Sequence, residues 1–270
     1  MPEVSVIMPV YNITVLSSLS VLQTAVDSIK NQTCQDWELI LCDDGSTDHT
    51  VQAVMKVIGN DKRIRLIRSR KNHGAGYARN LCIRASSGEY IAVMDADDIS
   101  DARRLERQAA FLRKHKEYAF VGCNVKMIDS RGIWGVRRMK EMPDKRDFLS
   151  TLPFVHPSIM LRREIVRKLN GYSESAQALR VEDYELLMRL YACGYRGYNM
   201  QEMLFSYRED RNSYKKRKYR YRFHECRIRL KGFRDLGILR GHLWYVAKPL
   251  IAGMVPGCVM RKVRENRYGE

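Results

Sequence analysis

The chain has 270 residues, of which 45% are hydrophobic and 29% charged, with a formal net charge of +17. This apolar content suffices for a hydrophobic core and excludes intrinsic disorder for most of the chain. The 7 cysteines form no C-x-x-C pair, which excludes a zinc ribbon or a thioredoxin-type motif. We expect reduced thiols in a cytosolic protein, without a cleavable signal peptide.

Short apolar strands alternate with amphipathic helices in the first half of the sequence. Strands are predicted over 4–8, 37–42, 64–67 and 90–94, and helices over 16–30, 51–58 and 72–86. Such alternation predicts an α/β fold: a Rossmann-like, mostly parallel sheet flanked by helices. Because ligands bind at the carboxyl ends of such strands, the polar segments 9–12, 43–46 and 95–98 are predicted to converge on one site.

The second half has a different pattern, without internal repeats. A hairpin is predicted over 120–128 and 132–136, a loop and strand over 153–161, and helices over 163–169 and 182–193. Residues 205–270 hold 18 basic and 6 acidic residues, so most of the excess positive charge lies near the carboxyl terminus. A compact domain over 1–208 and a basic helical extension over 209–270 are therefore predicted; the extension faces an anionic partner or, as the alternative, is a long solvated helix.

Acidic side chains follow two of the predicted strands. Asp95 and Asp97 are spaced so that both carboxylates can face one divalent cation, although an acidic turn that begins a helix has the same pattern. Asp44 can accept a hydrogen bond from a base or a ribose, with Gly45 allowing close backbone approach. An ordinary Asx turn is the alternative for Asp44.

Three further candidates have weaker local signals. Gly74-Ala-Gly76-Tyr-Ala-Arg79 fails as a dinucleotide fingerprint because Arg79 occupies the third glycine position; Arg79 either holds a diphosphate at the start of a helix or lies on the surface. Glu182 and Asp183 open a predicted helix, where one carboxylate is a general base or both complement the helix dipole. His156 is either an acceptor-side residue or a structural histidine.

The order of these motifs carries more information than any one of them. Val4-Ser-Val-Ile-Met-Pro-Val-Tyr-Asn12 is followed by Ser28-x-x-x-Gln32-Thr, Asp43-Asp-Gly-Ser-Thr-Asp48, Asn72-His-Gly-x-Gly-x-Ala-Arg-Asn80, Gly88-Glu-Tyr-Ile, Asp95-Ala-Asp-Asp98 and Glu182-Asp-Tyr184. Together they resemble glycosyltransferase family 2 over about residues 3–208. The resemblance implies a GT-A fold, inversion at the anomeric carbon, a nucleotide-sugar donor and a divalent metal, Mn²⁺ or Mg²⁺.

The resemblance also implies a role for each matching residue. Those on the nucleotide-sugar side are Pro9, Val10, Tyr11, Asn12, Asp44, Arg79, Asp95 and Ala96. Asp44 is expected at the base, Asp95 near the ribose or donor sugar, and Asp97 at the metal. Asp183 is the expected general base, and Glu182 and His156 are assigned to the acceptor side.

The carboxyl-terminal extension suggests where the protein acts. Its apolar run, residues 243–260, is 18 residues long and contains Lys248, Pro249 and Pro256, whereas a membrane-spanning helix needs about 20 apolar residues. An interfacial segment is therefore predicted, with packing on the domain or in a dimer as the alternative. The extension resembles that of bacterial family members which act on lipid-diphosphate carriers, and this implies docking on the inner face of the plasma membrane.

The predicted function is transfer of a sugar from a UDP-sugar to a lipid-linked surface polysaccharide. Three alternatives stay open. The first is a protein or small-molecule acceptor, and the second is a nucleotide-sugar binder without catalytic activity. The third is a nucleic-acid-binding protein that uses the basic and aromatic run 214–222. A homo-oligomer is also compatible with the sequence.

Overall fold

A computed structural model describes residues 1–16, 19–209 and 219–255, and also 259, 262, 263, 266 and 268. Its strands are β1 (Val4–Val10), β2 (Trp37–Asp43), β3 (Ile64–Arg68), β4 (Tyr90–Val93), β5 (Ile99–Ser100), β6 (Phe120–Asp129), β7 (Gly132–Arg137), β8 (Met160–Arg162) and β9 (Gly197–Arg208). Its helices are α1 (Ile13–Leu16), α2 (Leu19–Lys30), α3 (Thr50–Ile58), α4 (Ala75–Ala85), α5 (Arg104–Lys114), α6 (Arg163–Lys168), α7 (Glu182–Ala192), α8 (Arg220–Asp235) and α9 (Leu243–Met254).

The predicted α/β architecture is confirmed. The strands described form one sheet in the order β3-β2-β1-β4-β8-β6-β9-β5, and β7 pairs with β6. β3, β2, β1 and β4 run parallel, so their carboxyl ends lie at one edge of the sheet. β8 is antiparallel to its neighbours β4 and β6, while β6 and β9 run parallel.

β1 extends two residues beyond its predicted end, through Pro9 to Val10. Proline lacks the N–H that a central strand normally donates. Here the loss costs little, because β4 pairs with β1 only over Val4–Ile7 and has ended before it reaches Pro9. The carbonyl of Val10 points to the other side, where it accepts a hydrogen bond from the Asp44 N–H at 3.0 Å.

The core has two halves, one on each face of the sheet. Successive strand residues point to opposite faces, so Val6 packs with one cluster and Ile7 with the other. Helices α2, α3 and α5 cover the first cluster, and α4, α7 and α8 cover the second. The buried Ile228 and Phe233 of α8 belong to this second cluster, so the first helix of the predicted extension packs against the domain predicted over 1–208.

α8 and α9 form an antiparallel pair that Arg229 joins to the rest of the molecule. The Arg229 side chain is buried and donates to the carbonyl of Leu149 at 2.9 Å and to that of Tyr245 at 3.3 Å. Pro249 lies inside α9 and has no N–H for the carbonyl four residues earlier, which is that of Tyr245. Arg229 therefore satisfies a carbonyl that the helix itself leaves unpaired.

The predicted domain boundary between residues 208 and 209 stays a prediction. Most of the run 214–222 lies outside the described residues, which resume at Tyr219. In the described part of the chain, no helix combines the length and apolar character needed to cross a membrane.

Candidate active site

Two of the predicted loops are joined directly. The backbone N–H of Asn12 donates to the Ser46 hydroxyl at 2.9 Å, and the Asn12 side-chain carbonyl accepts from the Thr47 N–H at 2.9 Å. Asn12 has φ +47°, a region in which asparagine is among the better tolerated non-glycine residues. The ends of β1 and β2 thus form a single polar surface, next to the Tyr11 side chain, which is 38% exposed.

Asp44 fixes the loop that precedes α4. Its buried carboxylate accepts hydrogen bonds from the N–H groups of His73, at 3.0 Å, and Gly74, at 2.7 Å. Burial raises the pKa of Asp44, and these hydrogen bonds offset part of the shift. Gly45 is required beside it, because a Cβ there would lie 2.5 Å from the backbone of Lys71. Asp44 therefore sets the distance between the β2 loop and the start of α4.

The third loop follows β4 and contains Asp95, Ala96 and Asp97, all partly buried. Arg208, at the end of β9, anchors this loop through two hydrogen bonds. Its side chain donates to the backbone carbonyl of Asp97 at 2.8 Å, and its backbone N–H donates to the Asp98 carboxylate at 2.7 Å. The end of β9 therefore fixes the position of the Asp-x-Asp segment relative to the edge of the sheet.

Asp98 is the buried anchor of the same loop. It is 1% exposed, and its Oδ2 has no hydrogen-bond partner among the described residues. Burial, together with the charges of Asp97 and Asp95, raises the pKa of Asp98 well above its ordinary value. Asp98 is therefore suited to a structural role as a neutral acid, whereas Asp95 and Asp97 keep access to solvent.

Arg79 connects the Asp-x-Asp loop with the start of α7. Its buried guanidinium lies 2.6 Å from a carboxylate oxygen of Asp95 and 3.6 Å from one of Glu182. Burial alone would lower the pKa of Arg79, but the charges of Asp95 and Glu182 raise it above its ordinary value. Of the two interpretations for Arg79, a surface arginine and a diphosphate ligand, the first is wrong. The second stays a prediction, although Arg79 is already engaged by two carboxylates.

Asp183 follows Glu182, whose carboxylate pairs with Arg79. Both acidic residues lie in the first turn of α7 and are partly buried. The Asp183 carboxylate accepts a hydrogen bond from the backbone N–H of Tyr184 at 2.7 Å. The hydroxyl of Tyr184 donates to the carbonyl of Phe148, which fixes the first turn against the 3-10 helix Lys145–Leu149. Asp183 therefore has a defined position at the same edge of the sheet as Asp95.

His156 lies beneath the site. It is 5% exposed, and its Nε2 lies 2.9 Å from the hydroxyl of Tyr172, whose ring is 5.6 Å from the Arg79 guanidinium. Burial, reinforced by the charge of Arg79, lowers the pKa of His156 well below its ordinary value. This favours the structural alternative for His156, a neutral side chain that supports Tyr172 and Arg79.

The burial of His156 leads to a prediction about stability. Between about pH 6.5 and pH 5 the unfolded chain binds a proton at His156 that the folded chain does not. The titration of His156 should therefore lower the free energy of unfolding by up to about 2 kcal/mol as the pH drops through this range. The same pH change should lower the free energy of unfolding of His156→Gln by about 2 kcal/mol less than that of the wild type. Urea unfolding of both proteins at pH 7 and pH 5 measures the difference; equal losses would contradict the assignment.

Sequence patterns missed Arg208, Asp98 and Tyr172 as contributors to the site, and Arg229 as the residue that joins α8 and α9 to the rest of the molecule. Asp98 stands inside the quoted acidic motif, but nothing in the sequence distinguishes a buried aspartate from its exposed neighbours. Arg208 ends a strand that was not predicted, and Tyr172 and Arg229 act through contacts between distant elements.

The geometry places every acidic motif at one sheet edge, as in a GT-A glycosyltransferase. The model of glycosyl transferase family 2 matches residues 5–169, and that of glycosyl transferase family group 2 matches residues 90–263. The chain belongs to glycosyltransferase family 2 and is a glycosyltransferase, as its resemblance to that family implied.

Relatives and solved structures agree with this assignment. A putative glycosyltransferase of Bacillus subtilis, EpsE, is 37% identical over 98% of this chain and 94% of its own length. An Escherichia coli enzyme, the UDP-Glc:α-D-GlcNAc-diphosphoundecaprenol β-1,3-glucosyltransferase WfgD, is 36% identical over 49% of each chain.

Two proteins of known structure share the fold at 20% sequence identity. The fragment 1–349 of S. aureus TarS, in complex with UDP-GlcNAc, superimposes with a TM-score of 0.66 over 93% of this chain and 71% of the fragment. The mannosyltransferase PcManGT of Pyrobaculum calidifontis, in complex with GDP-Man and Mn²⁺, gives a TM-score of 0.64 over 97% of this chain and 79% of the PcManGT chain. These likenesses confirm the GT-A fold.

Proposed function

We propose that this glycosyltransferase moves a sugar, with inversion, from a UDP-sugar to a hydroxyl of a lipid-linked glycan. The observation that carries the proposal is the convergence of three strand-end loops and the first turn of α7 at one sheet edge. Asn12 and Ser46 join the first two loops, and Arg79 joins Asp95 to Glu182. The test is metal-dependent binding of a nucleoside diphosphate, which Asp97→Asn should weaken at least tenfold.

The nucleotide is assigned to the surface between the ends of β1 and β2. Pro9, Val10, Tyr11 and Asn12 would line it, and the exposed Tyr11 ring offers a face on which a base can stack. Asp44 would accept a hydrogen bond from the base through an oxygen lone pair that His73 and Gly74 leave available. Uracil is proposed because the name of the E. coli relative specifies UDP-Glc and the TarS complex contains UDP-GlcNAc.

A divalent cation, Mn²⁺ or Mg²⁺, is assigned to Asp97. Within the described ranges, no three His, Cys, Asp or Glu side chains form a ready-made metal cluster. Hard cations of this kind are often held by one or two carboxylates together with substrate phosphates, and the partly buried carboxylate of Asp97 fits that donor set. When bound, the cation would offset the negative charge that develops on the leaving diphosphate. Mn²⁺ in the PcManGT complex supports this choice.

Asp183 is assigned as the general base. It would take the proton of the acceptor hydroxyl while that oxygen forms a bond to the anomeric carbon and the bond to the donor phosphate breaks, releasing UDP. A single displacement of this kind inverts the anomeric carbon and needs one base. Glu182 is assigned to holding Arg79 rather than to proton transfer, because its side chain faces the guanidinium.

The lipid-linked acceptor is supported by the surface of α8 and α9. Large apolar side chains are exposed along α9 at helical spacing: Leu243, Trp244, Ile251 and Met254. Exposed cations accompany them on α8, on α9 and in the connection between the two helices: Arg220, Arg227, Lys231, Arg234, Arg240 and Lys248. An apolar helix face with basic flanks favours binding in the interface of an anionic membrane. The acceptor named for the E. coli relative, a diphosphoundecaprenol-linked sugar, agrees with this.

Membrane binding can be measured with vesicles. We expect the full chain to float with phosphatidylglycerol vesicles but not with phosphatidylcholine vesicles, and to be released by salt. The double variant Trp244→Ser, Ile251→Ser should bind at least tenfold more weakly, because both apolar side chains leave the lipid. Ile133→Ser on β7, which is 64% exposed, is the matched control and should bind as the wild type does. Equal binding by the double variant would contradict the proposal.

A further inference from the structure

A buried arginine holds the strand that leads into the Asp-x-Asp loop. Arg104, the first residue of α5, is fully buried, with 0% of its surface exposed. Its guanidinium donates to the carbonyl of Val93, the last residue of β4, at 2.9 Å and to that of Ile159 at 3.2 Å. Its Nε donates to the side-chain carbonyl of Gln108 at 3.0 Å, but its Nη1 has no hydrogen-bond partner among the described residues. Because buried polar groups are nearly always hydrogen-bonded, this nitrogen needs an acceptor that the described part of the chain does not provide.

Asp98 offers the complementary unpaired atom. One carboxyl oxygen of Asp98 accepts the hydrogen bond from the backbone N–H of Arg208 at 2.7 Å, whereas Oδ2 has no partner within the described ranges. Burial raises the pKa of Asp98 and lowers the pKa of Arg104 to about 10, and in each case the charge of the other side chain opposes the effect of burial. The two side chains therefore lie close enough to interact, and Arg104 stays charged near pH 7.

β9 contacts both Arg104 and the Asp-x-Asp loop. The ring of Phe205 covers the guanidinium of Arg104, with the ring centroid 4.7 Å from the guanidinium carbon. Further along β9, Arg208 donates to the Asp98 carboxylate and to the carbonyl of Asp97. Arg104 therefore contacts the two strands, β4 and β9, that set the position of the loop.

We propose that Arg104 is a positioning residue for the candidate metal site and that it acts on Asp98 through a buried water. Waters inside proteins typically make about three hydrogen bonds to polar groups that would otherwise be unpaired. A water between the two side chains would accept a hydrogen bond from Nη1 of Arg104. It would also bond to Oδ2 of Asp98, whether or not that oxygen carries a proton.

Arg104 would then fix both ends of the segment 93–98. It holds the carbonyl of Val93 directly and the carboxyl of Asp98 through the water, and Asp95 and Asp97 lie between these two points. Loss of a partner that orients a metal ligand commonly lowers metal affinity by about 10 to 100-fold. The inference rests on the proposed function, because it assumes that Asp97 holds the cation.

The Mn²⁺ concentration that gives half-maximal UDP binding tests this role. Arg104→Lys keeps the charge but loses the planar array of donors, so it should raise this concentration about tenfold. In the background of Asp98→Ala, where the link to the loop is already broken, the same substitution should raise it by no more than about twofold. Equal effects of Arg104→Lys in the two backgrounds would overturn the proposal.

Arg162→Lys is the matched control. Arg162 is 7% exposed and, like Arg104, donates to backbone carbonyl groups: those of Leu112, His115 and Tyr118. It lies opposite Tyr90 at the start of β4, the end of that strand remote from Asp95. Arg162→Lys should lower the free energy of unfolding as Arg104→Lys does, but should leave the Mn²⁺ concentration for half-maximal UDP binding within about twofold of the wild type. If both variants raised that concentration equally, general loosening of the core would explain the effect and the proposal would be overturned.

Two further readouts separate this inference from the proposed function. A crystal structure of the wild type that resolves buried waters should show one within hydrogen-bonding distance of Nη1 of Arg104 and Oδ2 of Asp98; a dry site would overturn the link. Absence of Mn²⁺-dependent UDP binding by the wild type would count against the proposed function instead. Urea unfolding still tests the pair in that case, since Arg104→Lys should cost less stability in the Asp98→Ala background than in the wild type, and equal costs would overturn the coupling.

Discussion

Asp183→Asn is expected to lower kcat for sugar transfer by about 10² to 10⁴-fold, the usual contribution of a positioned general base. The variant should fold normally, since an asparagine oxygen can still accept the hydrogen bond that the backbone N–H of Tyr184 donates to Asp183. The affinity for UDP should not change, because Asp183 lies outside the loops assigned to the nucleotide. Release of UDP from a UDP-sugar in the presence of acceptor measures the rate.

The control for Asp183→Asn is Asp235→Asn, which removes a carboxylate from the end of α8. Its kcat should equal that of the wild type. If Asp183→Asn retained full activity, or lost UDP affinity in proportion to kcat, Asp183 would not be the base. The second outcome would place it in the donor site instead.

Arg79→Met is expected to lower the free energy of unfolding by about 3 kcal/mol, because it leaves two carboxylates facing each other without their shared cation. The Asp95 side chain is 33% exposed and that of Glu182 is 13% exposed. Solvent therefore stabilises the unpaired charge of Asp95 more than that of Glu182. Adding Glu182→Gln should restore part of the loss, and this non-additivity is the readout of the ion-pair network. Urea unfolding of the single and double variants measures it.

Arg84→Met on the same helix is the control for Arg79→Met. Arg84 is 56% exposed and its partner Glu174 is 43% exposed, so its removal should change stability by less than about 0.5 kcal/mol. If the free energy of unfolding of Arg79→Met differed from that of the wild type by no more than this margin, the assigned ion-pair network would be contradicted. Additive effects of Arg79→Met and Glu182→Gln would contradict a direct coupling between the two side chains.

The sequence predicted the parallel half of the fold because its signals are local. β1, β2 and β4 are mostly apolar, interrupted only by Ser5 in β1 and Glu38 in β2, as expected for strands buried on both faces, and each is followed by a polar loop. Their common direction then places those loops at one edge. The acidic residues of the site could be named in advance because they follow directly after such strands.

Two of the longer elements, α5 and β9, escaped prediction for identifiable reasons. The buried face of α5 includes Arg104 and Gln108, so its hydrophobic period is interrupted. Both side chains are hydrogen-bonded inside the core: Arg104 donates to the carbonyl of Val93 at 2.9 Å and Gln108 to that of Ser158 at 2.8 Å. β9 shifts register against β6 near Asn124, which breaks the alternation expected of a strand.

The pairing of Arg79 with Asp95 and Glu182 could not be predicted from local patterns. The three residues come from α4, from the loop after β4 and from the start of α7, and only the packing of these elements brings them together. Whether an arginine faces solvent or two carboxylates depends on that packing. The same holds for His156, whose burial beneath Tyr172 arises from elements that are remote from the acidic loops.

The most direct test of the donor site is binding of UDP, GDP, ADP and CDP, with and without Mn²⁺, to the wild type and to Asp97→Asn. We predict selective binding of UDP that requires Mn²⁺ and falls at least tenfold in Asp97→Asn, while the fold is unchanged. Absence of nucleotide binding by folded wild-type protein, or metal-independent binding that Asp97→Asn retains, would contradict the assignment of the acidic loops.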